Sequence, residues 1–140
     1  AMAPETLDRF HEGLLEDPAT TLQRFLALQV RGSDAGRATL RELRRELAGR
    51  PQPHPAALAT GLDLLRASDL RDRLPGLPCP SLWLFGERDT LVPATAASGV
   101  RALLPTARVA TISGAAHAPL LSHPAETVAE ILSFLWGLRP

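Results

Sequence analysis

Two short apolar runs, Leu82-Trp83-Leu84-Phe85 and residues 109–112, constrain this chain more than any other feature. The first is continuous rather than alternating, which is the pattern of a strand covered on both faces. Gly86 ends it, residues 94–104 read as a helix, the second run follows, and residues 125–135 read as a closing helix. A strand, helix, strand, helix order makes the two strands parallel and joins them by a right-handed crossover. Parallel sheets lie between helical layers and normally hold more than two strands, so the expected sheet is partial. The missing strands are expected from an amino-terminal half outside this sequence, from a partner chain, or from self-association with strand exchange.

The preceding stretch reads as helices. Leu7, Phe10, Leu14 and Leu15 recur at helical spacing, and Asp17-Pro18 supplies a cap and a first-turn proline for a second helix carrying Leu22, Phe25, Leu26 and Leu28. Ser33 or Asp34 is expected to cap a third, whose apolar side is Leu40, Leu43 and Leu47. Three prolines within residues 50–55 mark a corner, after which Leu58, Leu62 and Leu65 line a fourth helix. The chain therefore divides into a helical segment, residues 1–68, and a β-α-β-α segment, residues 69–140.

Charge narrows the partners. Fifteen arginines face 15 acidic residues with no lysine, a net charge of zero that speaks against general nucleic-acid binding. No apolar run approaches the roughly 20 residues of a membrane span, and residues 1–8 hold no signal-peptide core, so a cytoplasmic location is expected. The single cysteine, Cys79, lies between Pro78 and Pro80, which excludes an intramolecular disulfide and is expected to be a small buried residue.

In open parallel sheets, functional groups gather on loops at the carboxyl ends of the strands. Here those loops are Gly86-Glu87-Arg88-Asp89 and Gly114-Ala115-Ala116-His117-Ala118-Pro119. One crossover separates Asp89 from His117, which puts them on adjacent loops at one sheet edge. That suits a carboxylate that orients an imidazole working as general base and acid. By position alone, an Asp such as Asp89 is most often an ordinary turn or N-cap residue. His11, His54 and His123 have neither the spacing nor a thiolate for a metal site, and no metal or other cofactor is expected.

The segment Gly86-Glu87-Arg88-Asp89-Thr90-Leu91-Val92-Pro93 resembles the acid loop of α/β-hydrolases. Residues 114–119 resemble their histidine loop, with His123-Pro124-Ala125-Glu126 opening the last helix. Arg24-Phe25-Leu26-Ala27-Leu28-Gln29, with the arginine-rich third helix, resembles the cap of the carboxylesterases of biotin synthesis that act on pimeloyl-acyl carrier protein methyl ester. The resemblance implies a partial α/β-hydrolase fold, a helical cap followed by the last two parallel strands and their helices. It implies Asp89 and His117 as members of a Ser-His-Asp triad, and Phe25, Leu26, Ala27, Leu28 and Gln29 as the acyl pocket. The family's serine lies in a G-x-S-x-G turn that this sequence lacks; in Gly32-Ser33-Asp34-Ala35-Gly36 the serine is displaced and no strand precedes it. This chain alone is therefore expected to be inactive.

Arg37, Arg41, Arg44 and Arg45 share a broad sector of the third helix, and Arg24 on the preceding helix could join it. One reading is a solvated face paired with Glu42 and Glu46. The other is a docking surface for an acidic carrier protein, with Arg24, Arg37 and Arg41 as its contacts. Two alternatives to the biotin-pathway function stand beside it: a hydrolase of short-chain esters or lactones, and a non-catalytic helical module that binds an acidic partner.

Overall fold

The computed structural model describes residues 4–51, 53–93 and 95–138. Four helices come first: α1 (Pro4–Glu16), α2 (Pro18–Gln29), α3 (Gly36–Ala48) and α4 (Pro55–Ala67). After a 3-10 turn at Arg71–Gly76 come β1 (Leu82–Gly86), α5 (Thr95–Leu103), β2 (Arg108–Ile112), a single turn α6 (Pro119–Ser122) and α7 (Pro124–Trp136). The strands are parallel and in register from Leu82 against Arg108 to Gly86 against Ile112, the arrangement expected from the sequence.

Local chemistry sets most helix starts. Asp17 caps α2 by accepting the Thr20 N–H, with Pro18 in the first turn. His54 caps α4, its Nδ1 accepting from the Ala56 N–H, so this histidine has a structural partner. α3 departs from expectation. Its N-cap is Ala35, with no side-chain cap, because the Asp34 carboxylate is drawn away to Arg88. Its most buried residue is Thr39 rather than a leucine; the hydroxyl donates to the Ala35 carbonyl, which satisfies it in an apolar setting.

The sheet's core is Phe85 packed on Ala97 and Val100 of α5, with Trp83, Val92 and Val109 around them. α7 packs along both strands, and Arg108 reaches from β2 to Glu130 and Ser133 on that helix. The outer side of α7 is uncovered: Val128, Leu132, Leu135 and Trp136 are 41–59% exposed. Leu120 and Leu121 are exposed beside it. Several burial expectations fail. Cys79 is exposed, since residues 77–80 run along the surface; Leu15 of α1 and Leu65 of α4 point to solvent where Leu58 and Leu62 are half-buried, and Leu47 of α3 is exposed as well. Among the described residues, no helix is long and apolar enough to cross a membrane, and no group of His, Cys, Asp and Glu is placed to hold a metal ion.

Candidate active site

Parallel pairing of β1 and β2 releases two loops side by side, and Asp89 and His117 meet across them. The His117 Nδ1 lies 2.8 Å from the Asp89 Oδ2. The other carboxylate oxygen, Oδ1, accepts the backbone N–H groups of Leu91 at 2.8 Å and Val92 at 2.9 Å. Asp89 is thus both things its position allowed, a turn residue through one oxygen and an imidazole partner through the other. Leu91 is buried and Val92 packs on the core, so the turn that presents the carboxylate is itself anchored.

Exposure separates the two roles. The Asp89 side chain is 5% exposed and the His117 side chain 34%. A carboxylate has no proton to give, so the Asp89 Oδ2, left free by the backbone donors on Oδ1, accepts from the ring, which assigns the proton to Nδ1 and leaves Nε2 as a lone pair. Among the described residues nothing bonds Nε2. Such a pair can take a proton from a hydroxyl presented to Nε2 and return it to a leaving group.

The loops are laced together by Glu87, whose part the sequence did not reveal. Its Oε2 accepts the Gly114 N–H at 2.7 Å and the Ser113 hydroxyl at 3.0 Å. These bonds, the Gly114 amide first, hold its carboxyl below the ordinary value of 4.5. A depressed carboxyl stabilises the fold above its unfolded pKa, and that contribution disappears as the pH drops through its folded pKa. The expected result is that Glu87→Gln is less stable than wild type near neutrality and that the difference closes as the pH falls below 4.5, read by urea unfolding at each pH. Backbone bonds add to the lacing: the Glu87 N–H donates to the Ile112 carbonyl and the Arg88 N–H to the Ala115 carbonyl. Gly114 adopts a positive φ of 70°, the left-handed region that turns the histidine loop back over β1.

The five α2 residues 25–29 do not share one surface. Phe25 stacks on Phe10 of α1, ring centroids 4.4 Å apart. Phe25 and Leu28 line a groove of about 470 Å³ that also meets Arg9, Arg24, Thr90 and Leu91, immediately beyond Asp89. Leu26 is buried on the other side, where it lines a separate groove between α2 and α3 with Arg44 and Leu47. Ala27 is half-buried and lines neither groove. Gln29 acts through its main chain, its carbonyl accepting the His117 N–H at 3.0 Å. Arg37 and Arg41 are exposed on α3 and have no acidic partner among the described residues, whereas Arg45 pairs with Glu42 and Arg24 lines the groove.

A family described as "Alpha/beta hydrolase family" matches residues 1–131. The chain is 47% identical over 132 residues to a curated protein of Xanthomonas oryzae pv. oryzae (strain MAFF 311018) named pimeloyl-[acyl-carrier protein] methyl ester esterase, covering 94% of this chain and 52% of that one. A protein of the same name from Stenotrophomonas maltophilia (strain K279a) is 44% identical over 140 residues, covering 100% of this chain and 54% of its own length. The chain thus spans about half the length of the curated relatives it matches. In fold it is similar to a bromoperoxidase from Bacillus anthracis (TM-score 0.82, 23% identity, 97% of this chain and 50% of that one). It is also similar to the enol-lactonase of Burkholderia xenovorans LB400 (TM-score 0.81, 16% identity, 95% and 51%).

Proposed function

This chain belongs to the α/β-hydrolase family, and on that footing we propose that it is the cap and acid–base half of a cytoplasmic serine carboxylesterase acting on the methyl ester of pimeloyl-acyl carrier protein. The observation that carries the reading is the sealed Asp89 carboxylate on Nδ1 of a reachable His117. The names of the relatives above supply the substrate class.

The serine has to come from outside these residues. Ser33 does not supply it, since its Oγ is buried in the turn between α2 and α3. With a serine placed at His117, Nε2 removes the hydroxyl proton as Oγ attacks the ester carbonyl. The same proton then passes to the departing methoxide, which leaves as methanol. Water attacks the acyl-serine with His117 again as base, and a free carboxylate departs while the serine regains its proton. Asp89 keeps Nδ1 protonated throughout and stabilises the imidazolium that forms in each half-reaction.

The groove beside Asp89 suits an acyl chain, because Phe10, Phe25, Leu28 and Leu91 supply apolar wall. Leu26, Ala27 and the Gln29 main chain would support that wall from behind. The apolar stripe Val128, Leu132, Leu135 and Trp136 is the surface an amino-terminal half would cover, in keeping with relatives about twice as long. Arg37 and Arg41, without acidic partners among the described residues, would meet the acidic carrier, with Arg24 at the groove.

The test assembles the chain with a serine-bearing half and compares carrier-linked with free pimelate methyl esters. The carrier-linked ester is expected to react faster. Reversing Arg37 and Arg41 to glutamate is expected to lower its kcat/KM by about tenfold at low salt, leaving the free ester unchanged, because steering charges act on encounter. Equal rates on both esters would overturn the carrier assignment in favour of a general short-chain esterase or lactonase. Carrier binding without hydrolysis would leave only a docking module.

A further inference from the structure

Arg88 sits in the acid loop, yet its side chain reaches back to the turn that leaves the cap. Its Nη1 donates to the Gly32 carbonyl at 3.1 Å and pairs with the Asp34 carboxylate. That turn is bonded to the histidine loop on both sides of the arginine. The Gln29 carbonyl accepts the His117 N–H at 3.0 Å, and the Asp34 N–H donates to the Gly114 carbonyl at 3.1 Å. The Arg88 N–H completes the circuit through the Ala115 carbonyl at 2.8 Å. The Asp34 carboxylate lies where a side chain on residue 114 would have to go, so the histidine loop leaves it room only because that residue is glycine.

We propose that residues 29–34 form a strap over the histidine loop and that Arg88, clamping the strap through Gly32 and Asp34, is a positioning residue for His117. Asp89 fixes the ring of His117 from the acid loop, whereas its backbone amide is fixed by the cap. A cap that lifts from the loops takes the Gln29 carbonyl with it and frees the His117 backbone, so the general base is held in place only while the cap is seated. The clamp supplies the seat. A guanidinium shared between a carbonyl and a carboxylate makes charge-assisted bonds that fix the direction of both partners. The pair is also half exposed, which makes it weak enough to open and sensitive to salt.

The base role of His117 rests on the function proposed above; the strap itself does not. The experiment is done on the full chain by NMR, with amide hydrogen exchange at His117 and Asp34 and the ring nitrogens of His117 as readouts. Arg88→Ala is expected to speed exchange of both amides by about tenfold, leaving strand amides such as Phe85 and Ala110 unchanged, as local opening requires. The same variant is expected to lose the uniform Nδ1–H signature of the His117 ring. Arg88→Lys keeps the charge and is expected to fall between the two. Asp34→Asn is expected to act in the same direction, and the double variant Arg88→Ala/Asp34→Asn no further than Arg88→Ala alone. Unchanged His117 amide and ring signals in Arg88→Ala would overturn the proposal, as would equal acceleration at the strand amides, which would mark general loosening. Failure of the assembled enzyme to hydrolyse any ester would refute the proposed function and leave these readouts intact.

Discussion

Asp89→Asn, in an enzyme assembled from this chain and a serine-bearing half, is expected to lower kcat for ester hydrolysis by about 10⁴-fold with little loss of stability. The substitution keeps shape and volume, so the effect is one of proton placement. Oδ1 holds two backbone N–H groups and Oδ2 holds the His117 Nδ1–H, which makes three donors converging on one side chain. A carboxylate accepts all three; a carboxamide cannot. If the amide oxygen stays on Leu91 and Val92, its NH₂ faces Nδ1 and drives the ring proton to Nε2, the atom that has to receive the serine proton. If the amide flips, NH₂ confronts two N–H donors and the turn over buried Leu91 loosens. The first arrangement costs less, so the enzyme should remain folded and carry the wrong tautomer. His117→Ala should lose activity to a similar degree, and combining the two should add little, because they act as one unit. A loss of less than tenfold for Asp89→Asn would remove His117 from the base role.

Long-range geometry was readable where a topological rule supplied it. The apolar runs at residues 82–85 and 109–112 fix two parallel strands, and parallel strands send successive loops to one edge. That places Asp89 next to His117 without any knowledge of side chains. What escaped sequence reasoning were residues whose partners no local rule names. Asp34 before a helix reads as a cap, yet Arg88, 54 residues away, is the stronger attraction for an exposed carboxylate than two backbone N–H groups. Helical spacing groups Phe25, Leu26 and Leu28 as apolar, but it does not say that Leu26 turns to α3 while the other two face the acid loop. Glu87 and Arg88 were in view only as neighbours of Asp89; their common cue is a pair of opposite charges in a short loop beside two glycine-containing turns.

Gly86→Ala is expected to destabilise this chain by about 3 kcal/mol or more. Gly86 closes β1 directly beneath the histidine loop. A Cβ there would lie 2.7 Å from the Ala115 carbonyl oxygen and 2.8 Å from the Ala116 carbonyl carbon. Both neighbours are backbone, so no rotamer change relieves the overlap. Nor can the loop slide away, since the Ala115 carbonyl is held by the Arg88 N–H and Ala115 and Ala116 are at most 1% exposed. Relief requires the two loops to part, which would pull Asp89 from His117 at the same time. Gly99, on the exposed side of α5, supplies the opposite sign. It lies inside α5 with nothing within 4 Å of its would-be Cβ. Gly99→Ala is therefore expected to stabilise by about 0.5–1 kcal/mol through helix propensity and a less flexible unfolded chain. Urea midpoints moving in opposite directions for the two variants would show that close backbone approach, rather than glycine as such, joins the acid and histidine loops. Midpoints moving together would mean that the loops tolerate separation and that the Asp89–His117 distance is not enforced from below.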